Sequence, residues 1–157
     1  MADTTNTNRL PPQNIEAEQA LLGAILSNNR ALEKVEEFLF PDHFVSPVHG
    51  RIYSACRDYH SQGRIADPIT LKALFENDES LKDVGGADYL MKLAAASTTI
   101  INVVDYGRQI LDRYIRRRLI DVGTDMVNDA FNIKIDEEAV KQIENAEKEL
   151  YEIANEG

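Results

Sequence analysis

One cysteine, Cys56, occurs in the 157 residues, so an internal disulfide is excluded and a reducing, cytoplasmic setting fits. No apolar run approaches the roughly eighteen residues of a membrane-spanning helix. The start is not the basic-then-apolar pattern of a secretory leader. Basic charge is scarce as well. Lys and Arg number 17 against 27 Asp and Glu, a formal net charge of −10, which counts against a free-standing DNA-binding protein because it repels phosphate. A glycine-rich loop ending in Gly-Lys-Ser/Thr is missing, and Gly85-Gly86 has neither the spacing nor the preceding strand of a dinucleotide fingerprint. The sequence thus offers no nucleotide site. Strand signal is confined to one β-branched run, Ser97 to Val104. No second run exists to pair with it, so Ser97 to Ile101 reads as an extended connector. What remains is an all-α protein.

The helical signals divide into a head and a hairpin. Residues 1–12 read as a disordered tail, polar and rich in Thr and Asn, ended by Pro11-Pro12. Residues 13–101 read as a compact head of about five helices. Asn14 caps the first, with Glu16 and Glu18 complementing its dipole and Ile15, Leu21, Leu22, Ile25 and Leu26 in the core. Gly23 costs about 1 kcal/mol against Ala inside a helix, which suggests close packing of a neighbour. A second helix is predicted over Arg30 to Phe38, then a connector, Phe40 to Phe44, whose two aromatics plug the core. Ser46-Pro47 pairs a cap with proline at the first helical position, opening a third helix that Gln62-Gly63 stops. Asp67-Pro68 repeats the signal for a fourth helix carrying Ile69, Leu71, Leu74 and Phe75. Asn77 to Gly86 reads as a polar loop or broken helix, and Tyr89, Leu90 and Leu93 mark a fifth helix.

Residues 102–154 read as two long antiparallel helices. Asn102 is an N-cap with Asp105 at N3. Tyr106, Ile110, Leu111, Tyr114, Ile115, Leu119, Val122, Met126 and Phe131 then recur at helical spacing. Asn132-Ile133-Lys134-Ile135 is the turn, and Asp136 caps the next helix with Glu137 and Glu138 in its first turn. Ala139, Ile143, Ala146, Leu150 and Ile153 form a heptad-like seam. The burial available within such a hairpin does not offset the entropy of ordering its backbone. It therefore packs on the head, on a second copy of itself or on another partner.

Candidate chemistry is sparse. Cys56 and His60 are one helical turn apart, with His49 near the same face, but zinc needs three or four ligands and no second cluster supplies them. A catalytic cysteine needs an orienting group and a cleft. The plain reading is a core cysteine with surface histidines. Glu16 and Glu18 are likewise explained by the helix dipole. Arg113 with Arg116-Arg117-Arg118 reads as a solvated face pairing with Asp112 and Asp121; the alternative is a helical DNA-binding module built on Arg113 to Arg118.

The assembled pattern resembles the N-terminal domain of the DnaB-type hexameric replicative DNA helicase. The opening Pro11-Pro12-Gln13-Asn14-Ile15-Glu16-Ala17-Glu18-Gln19-Ala20-Leu21-Leu22-Gly23 carries that family's Pro-Pro, Glu-Ala-Glu and aliphatic-Leu-Gly. Phe44, His49 and Ile52-Tyr53 are similar to its third-helix region, and Asp67-Pro68-Ile69-Thr70-Leu71 to its Asp-x-x-Thr-Leu. Val84-Gly85-Gly86 with Tyr89-Leu90 and Leu93, then Asn102, Tyr106 and Arg116-Arg117-x-Leu119-Ile120, follow in the family's order.

The resemblance implies a helical head followed by a hairpin, hairpins that pair, and six subunits forming a collar as a trimer of dimers. The collar would sit above a ring of ATPase domains and recruit primase at the bacterial replication fork. A helicase loader is a further candidate partner. Because the sequence stops at Gly157, we expect a domain fragment that neither hydrolyses ATP nor unwinds DNA. ATP, Mg2+ and DNA binding would belong to the absent ATPase domain of the parent enzyme, and no cofactor, metal or catalytic residue is expected in this chain. Self-association is expected through Leu119, Val122, Met126, Ile143 and Leu150. Phe131, Ile133 and Ile135 are the candidate primase contacts, with packing inside the turn or the dimer as the alternative.

Overall fold

The computed structural model describes residues 9–96 and 102–156. Most of the predicted tail and the whole predicted connector, residues 97–101, lie outside these. Every regular element among the described residues is helical, as expected. These are α1 Ile15–Ser27, α2 Arg30–Glu33, α3 Pro47–Ser61, α4 Lys72–Phe75, α5 Asp88–Ala96, α6 Val103–Phe131 and α7 Ala139–Glu156, with 3-10 turns at Pro41–His43 and Glu79–Val84. Among the described residues two compact units are present, one within Asn14–Leu111 and the other made of residues 9–13 with 112–156.

Local chemistry explains the helix starts of the head. Asn14 Oδ1 accepts from the Ala17 N–H at 3.0 Å, and Ser46 Oγ from the His49 N–H at 3.3 Å, each satisfying a donor that the first helical turn leaves free. Asp67 and Thr70 bond reciprocally across the turn that precedes α4, rather than at the helix start itself: Thr70 N–H donates to Asp67 Oδ1 at 2.8 Å and Asp67 N–H to Thr70 Oγ1 at 2.9 Å. The helix α1 packs on α5 and α3. Leu21, Leu22 and Ile25 are buried there with Leu32, Ile52, Tyr53, Leu90 and Ile110. Gly107 brings α6 into this core. A methyl group at that position would meet Val35 Cγ1 at 2.9 Å and the Phe38 ring at 3.1 Å.

Several expectations are corrected. Only Arg30–Glu33 of the second predicted helix is α-helical; hydrogen-bonded turns carry the chain on to Leu39. The fourth helix is reduced to Lys72–Phe75, with Leu71 and Phe75 buried but Ile69 and Leu74 exposed. Of the two connector aromatics only Phe44 plugs the core. Phe40 stays partly exposed beneath the Arg57 guanidinium, 4.8 Å from its ring centroid. The turn between α6 and α7 extends to Glu138, so Asp136 is not the cap, and Glu137 and Glu138 precede the helix.

The carboxylate of Glu18, which the helix dipole alone was expected to explain, is buried. It accepts from Val45 N–H at 2.8 Å and Ser46 N–H at 3.4 Å, and its Oε1 lies 2.8 Å from His49 Nδ1. His49 is buried too, and its Nε2 lies 2.7 Å from the Tyr89 hydroxyl, which also accepts from Gln19. The network joins α1, α3, α5 and the chain entering α3. It costs little because every buried polar atom in it has a partner.

Candidate assembly surface on the hairpin

The second unit is a helical hairpin. Near the turn, Gln142 Nε2 donates to the Asp129 carbonyl at 2.9 Å; at the far end Arg118 reaches Glu156 at 3.4 Å. These two contacts fix an antiparallel register. Val122, Ala146 and Ile153 are buried. The rest of the apolar periodicity remains largely open: Leu119, Ile120, Met126, Val127, Val140, Ile143, Leu150 and Tyr151 are all exposed. A hairpin that covers so few of its own apolar positions is unlike the interior of a finished bundle.

The residues expected to mediate self-association fall on this surface unevenly. Val122, Met126 and Ile143 line one groove of about 270 Å3, together with Ala139, Ala146 and Asp125. Of these, Val122 is buried whereas Met126 and Ile143 are exposed. Leu119 and Leu150 do not line the groove. Leu119 stands seven residues before Met126, and Leu150 seven after Ile143, so each continues its helix's exposed stripe. The turn is more exposed still: Phe131 is 83%, Ile133 95% and Ile135 102% exposed. Packing within the turn is therefore excluded for all three.

The arginine segment is engaged in its own unit. Arg113 and Arg116 contact Asp112 at 2.7 and 2.8 Å, and Arg117 donates to the Pro12 carbonyl at 2.8 Å. Arg118 is shared between Tyr114 and Glu156. Hydrogen bonds from Arg116 and then Arg113 hold the Asp112 carboxyl below the usual carboxylate range. The predicted pairing is seen for Asp112; Arg118 makes its ion pair with Glu156, and Asp121 adds a further favourable charge near it.

Cys56 is fully buried, and burial pushes its thiol up to about 12, the opposite of an activated nucleophile. No cluster of three or more metal-binding side chains exists among the described residues.

Two features escaped the sequence reading. The buried Glu18–His49–Tyr89 network was missed, although Glu18 stands three and four residues before the core Leu21 and Leu22. The outer stripe of α6, Ile120 with Val127 and Phe131, was only partly seen. Its spacing of seven and four was the available signal.

Comparison with known proteins gives a consistent result. The family model described as DnaB-like helicase N terminal domain matches residues 10–112. The replicative DNA helicase DnaB of Rickettsia bellii is 48% identical over 149 residues, covering 95% of this chain and 30% of that protein. The chain thus spans about a third or less of the length of such relatives. The crystal structure of the N-terminal domain of DnaB helicase from Mycobacterium tuberculosis superposes with a TM-score of 0.81 at 31% identity, over 91% of this chain and 99% of that one. The structure of a DnaB-like replicative helicase and its interactions with primase gives a TM-score of 0.71 at 28% identity, over 92% of this chain and 32% of that one.

Proposed function

The chain belongs to the DnaB-like helicase N-terminal domain family, and from that membership we propose that it is the assembly and primase-recruitment module of a replicative DNA helicase. In this reading the parent enzyme unwinds the duplex at the cytoplasmic replication fork using ATP and Mg2+, both bound by a separate ATPase domain. Hairpins pair through Leu119, Val122, Met126, Ile143 and Leu150, building the collar of a hexamer. Primase, and a loader as a further candidate, dock on the collar.

One observation carries the proposal: both helices of the hairpin keep large apolar side chains exposed, from Leu119 to Phe131 on α6 and from Val140 to Tyr151 on α7. Such exposure is unfavourable in water and marks a surface meant to be covered. The neighbour described with its primase interactions supports the choice of partner. The alternative, DNA binding through Arg113 to Arg118, is weakened because Asp112, Pro12 and Glu156 already occupy those guanidinium groups.

Titration with the cognate primase tests recruitment. Replacing Phe131, Ile133 and Ile135 together by serine is expected to weaken binding by at least about tenfold, the loss of a central anchor. Unchanged affinity would remove these residues from the contact.

A further inference from the structure

The hairpin tip joins two properties that together define what can sit on it. Its apolar part is Val127 and Phe131 on α6, Ile133 and Ile135 in the turn, and Val140 on α7, all exposed. Its rim is acidic: Asp129, Asp136, Glu137 and Glu138 surround those side chains in sequence. The nearby lysines are neutralised locally, Lys134 by Glu137 at 3.8 Å and Lys141 by Glu144 at 3.6 Å. Asp129, Asp136 and Glu138 have no cationic partner among the described residues.

We propose that the tip docks on a basic-rimmed apolar protein surface, an apolar patch flanked by lysine and arginine, and that the acidic rim steers its approach. The inference rests on the recruitment reading above and adds the chemistry of the partner's side. A second copy of the tip, related by a two-fold axis, would set the same carboxylates against each other. Nucleic acid would meet like charge at every phosphate. A basic surface relieves the unpaired carboxylates while covering the isoleucines. Rim charge then acts on the association rate, and the apolar anchors act on the dissociation rate.

The full chain and its cognate primase supply the test, with association and dissociation rates measured at low and high salt. The double reversal Asp136→Lys with Glu138→Lys alters exposed turn residues, and circular dichroism checks that both helices persist. The expected result is an association rate about tenfold lower at low salt, with the difference shrinking as salt is added. Ile133→Ser with Ile135→Ser is expected instead to raise the dissociation rate. Tight binding that responds to neither salt nor the reversal overturns the role of the rim while leaving recruitment standing. No binding by the unmodified chain overturns recruitment itself, and this inference with it. A reversal that alters self-association in sedimentation and leaves primase binding unchanged assigns the tip to a second copy and also overturns the proposal.

Discussion

Glu18 occupies the first turn of α1, where a carboxylate ordinarily gains only from the helix dipole. In this head it accepts from two backbone N–H groups and contacts the His49 ring, all away from solvent. Removing it leaves those groups without an acceptor. Glu18→Ala is expected to cost about 3–5 kcal/mol, and Tyr89→Phe, which removes only the hydroxyl, about 1 kcal/mol. Urea unfolding of the variants measures both. Cys56 gives a second residue-level test. Its folded thiol is pushed up to about 12, whereas an unfolded thiol titrates near about 8.5. The fold favours the protonated form, so this contribution is complete below about pH 8.5. It is lost as pH rises toward the folded value, because the unfolded chain ionises first. Stability is expected to fall by about 2 kcal/mol between pH 7 and pH 10, with a smaller fall in Cys56→Ala. Tyr53, raised to about 12 mainly by burial, adds to the loss above about pH 10 and remains in that variant.

At the scale of elements, the two glycines of α6 distinguish a packed stretch from an open one. Glycine in a helix interior costs about 1 kcal/mol relative to alanine, so Gly→Ala stabilises wherever space allows. At Gly123 nothing lies within 4 Å of an added methyl group. At Gly107 the same group meets Val35 and Phe38, at 2.9 and 3.1 Å. Gly123→Ala is therefore expected to raise stability by up to about 1 kcal/mol, and Gly107→Ala to lower it by about 1–3 kcal/mol. Thermal melts of the two variants should shift in opposite directions. The elements also show what could be read from the sequence. The starts of α1 and α3 were legible because Asn14 and Ser46-Pro47 act on the backbone within three residues. The truncation of α2 and α4 was not, since it depends on how the following turns find partners elsewhere in the head. Glu18 and His49 stand 31 residues apart, and pattern reading classified both by type rather than by the core stripe they share with Leu22 and Tyr53. The hairpin was legible as two long helices with a turn, the second of them clearly amphipathic. Its start at Ala139 was missed because three successive acids, Asp136 to Glu138, look like a helix N-terminus wherever it falls.

The molecule as a whole separates a closed unit from an open one. The head buries most of its large aliphatic side chains, with Ile65, Ile69 and Leu74 left exposed, and its buried side-chain polar atoms have hydrogen-bond partners. The hairpin leaves Leu119, Met126, Ile143 and Leu150 exposed, Met126 and Ile143 lining one groove with the buried Val122. Within one chain, the register set by Gln142 with Asp129 and Arg118 with Glu156 brings Leu150 level with Val122, yet Leu150 remains open on its outer side. If pairing of hairpins covers this surface, a charge placed there opposes association without disturbing the folded chain. Leu150→Asp is accordingly expected to weaken self-association by at least about tenfold, measured by sedimentation over a range of protein concentrations. Its helix content should stay unchanged, because the side chain it replaces is already exposed in the single chain. Leu74→Asp supplies the control: it puts the same charge on an exposed leucine of the head and should leave association unaltered. Equal weakening by both variants would place the interface beyond the hairpin. A concentration-independent monomer for the unmodified chain would overturn pairing through the hairpin.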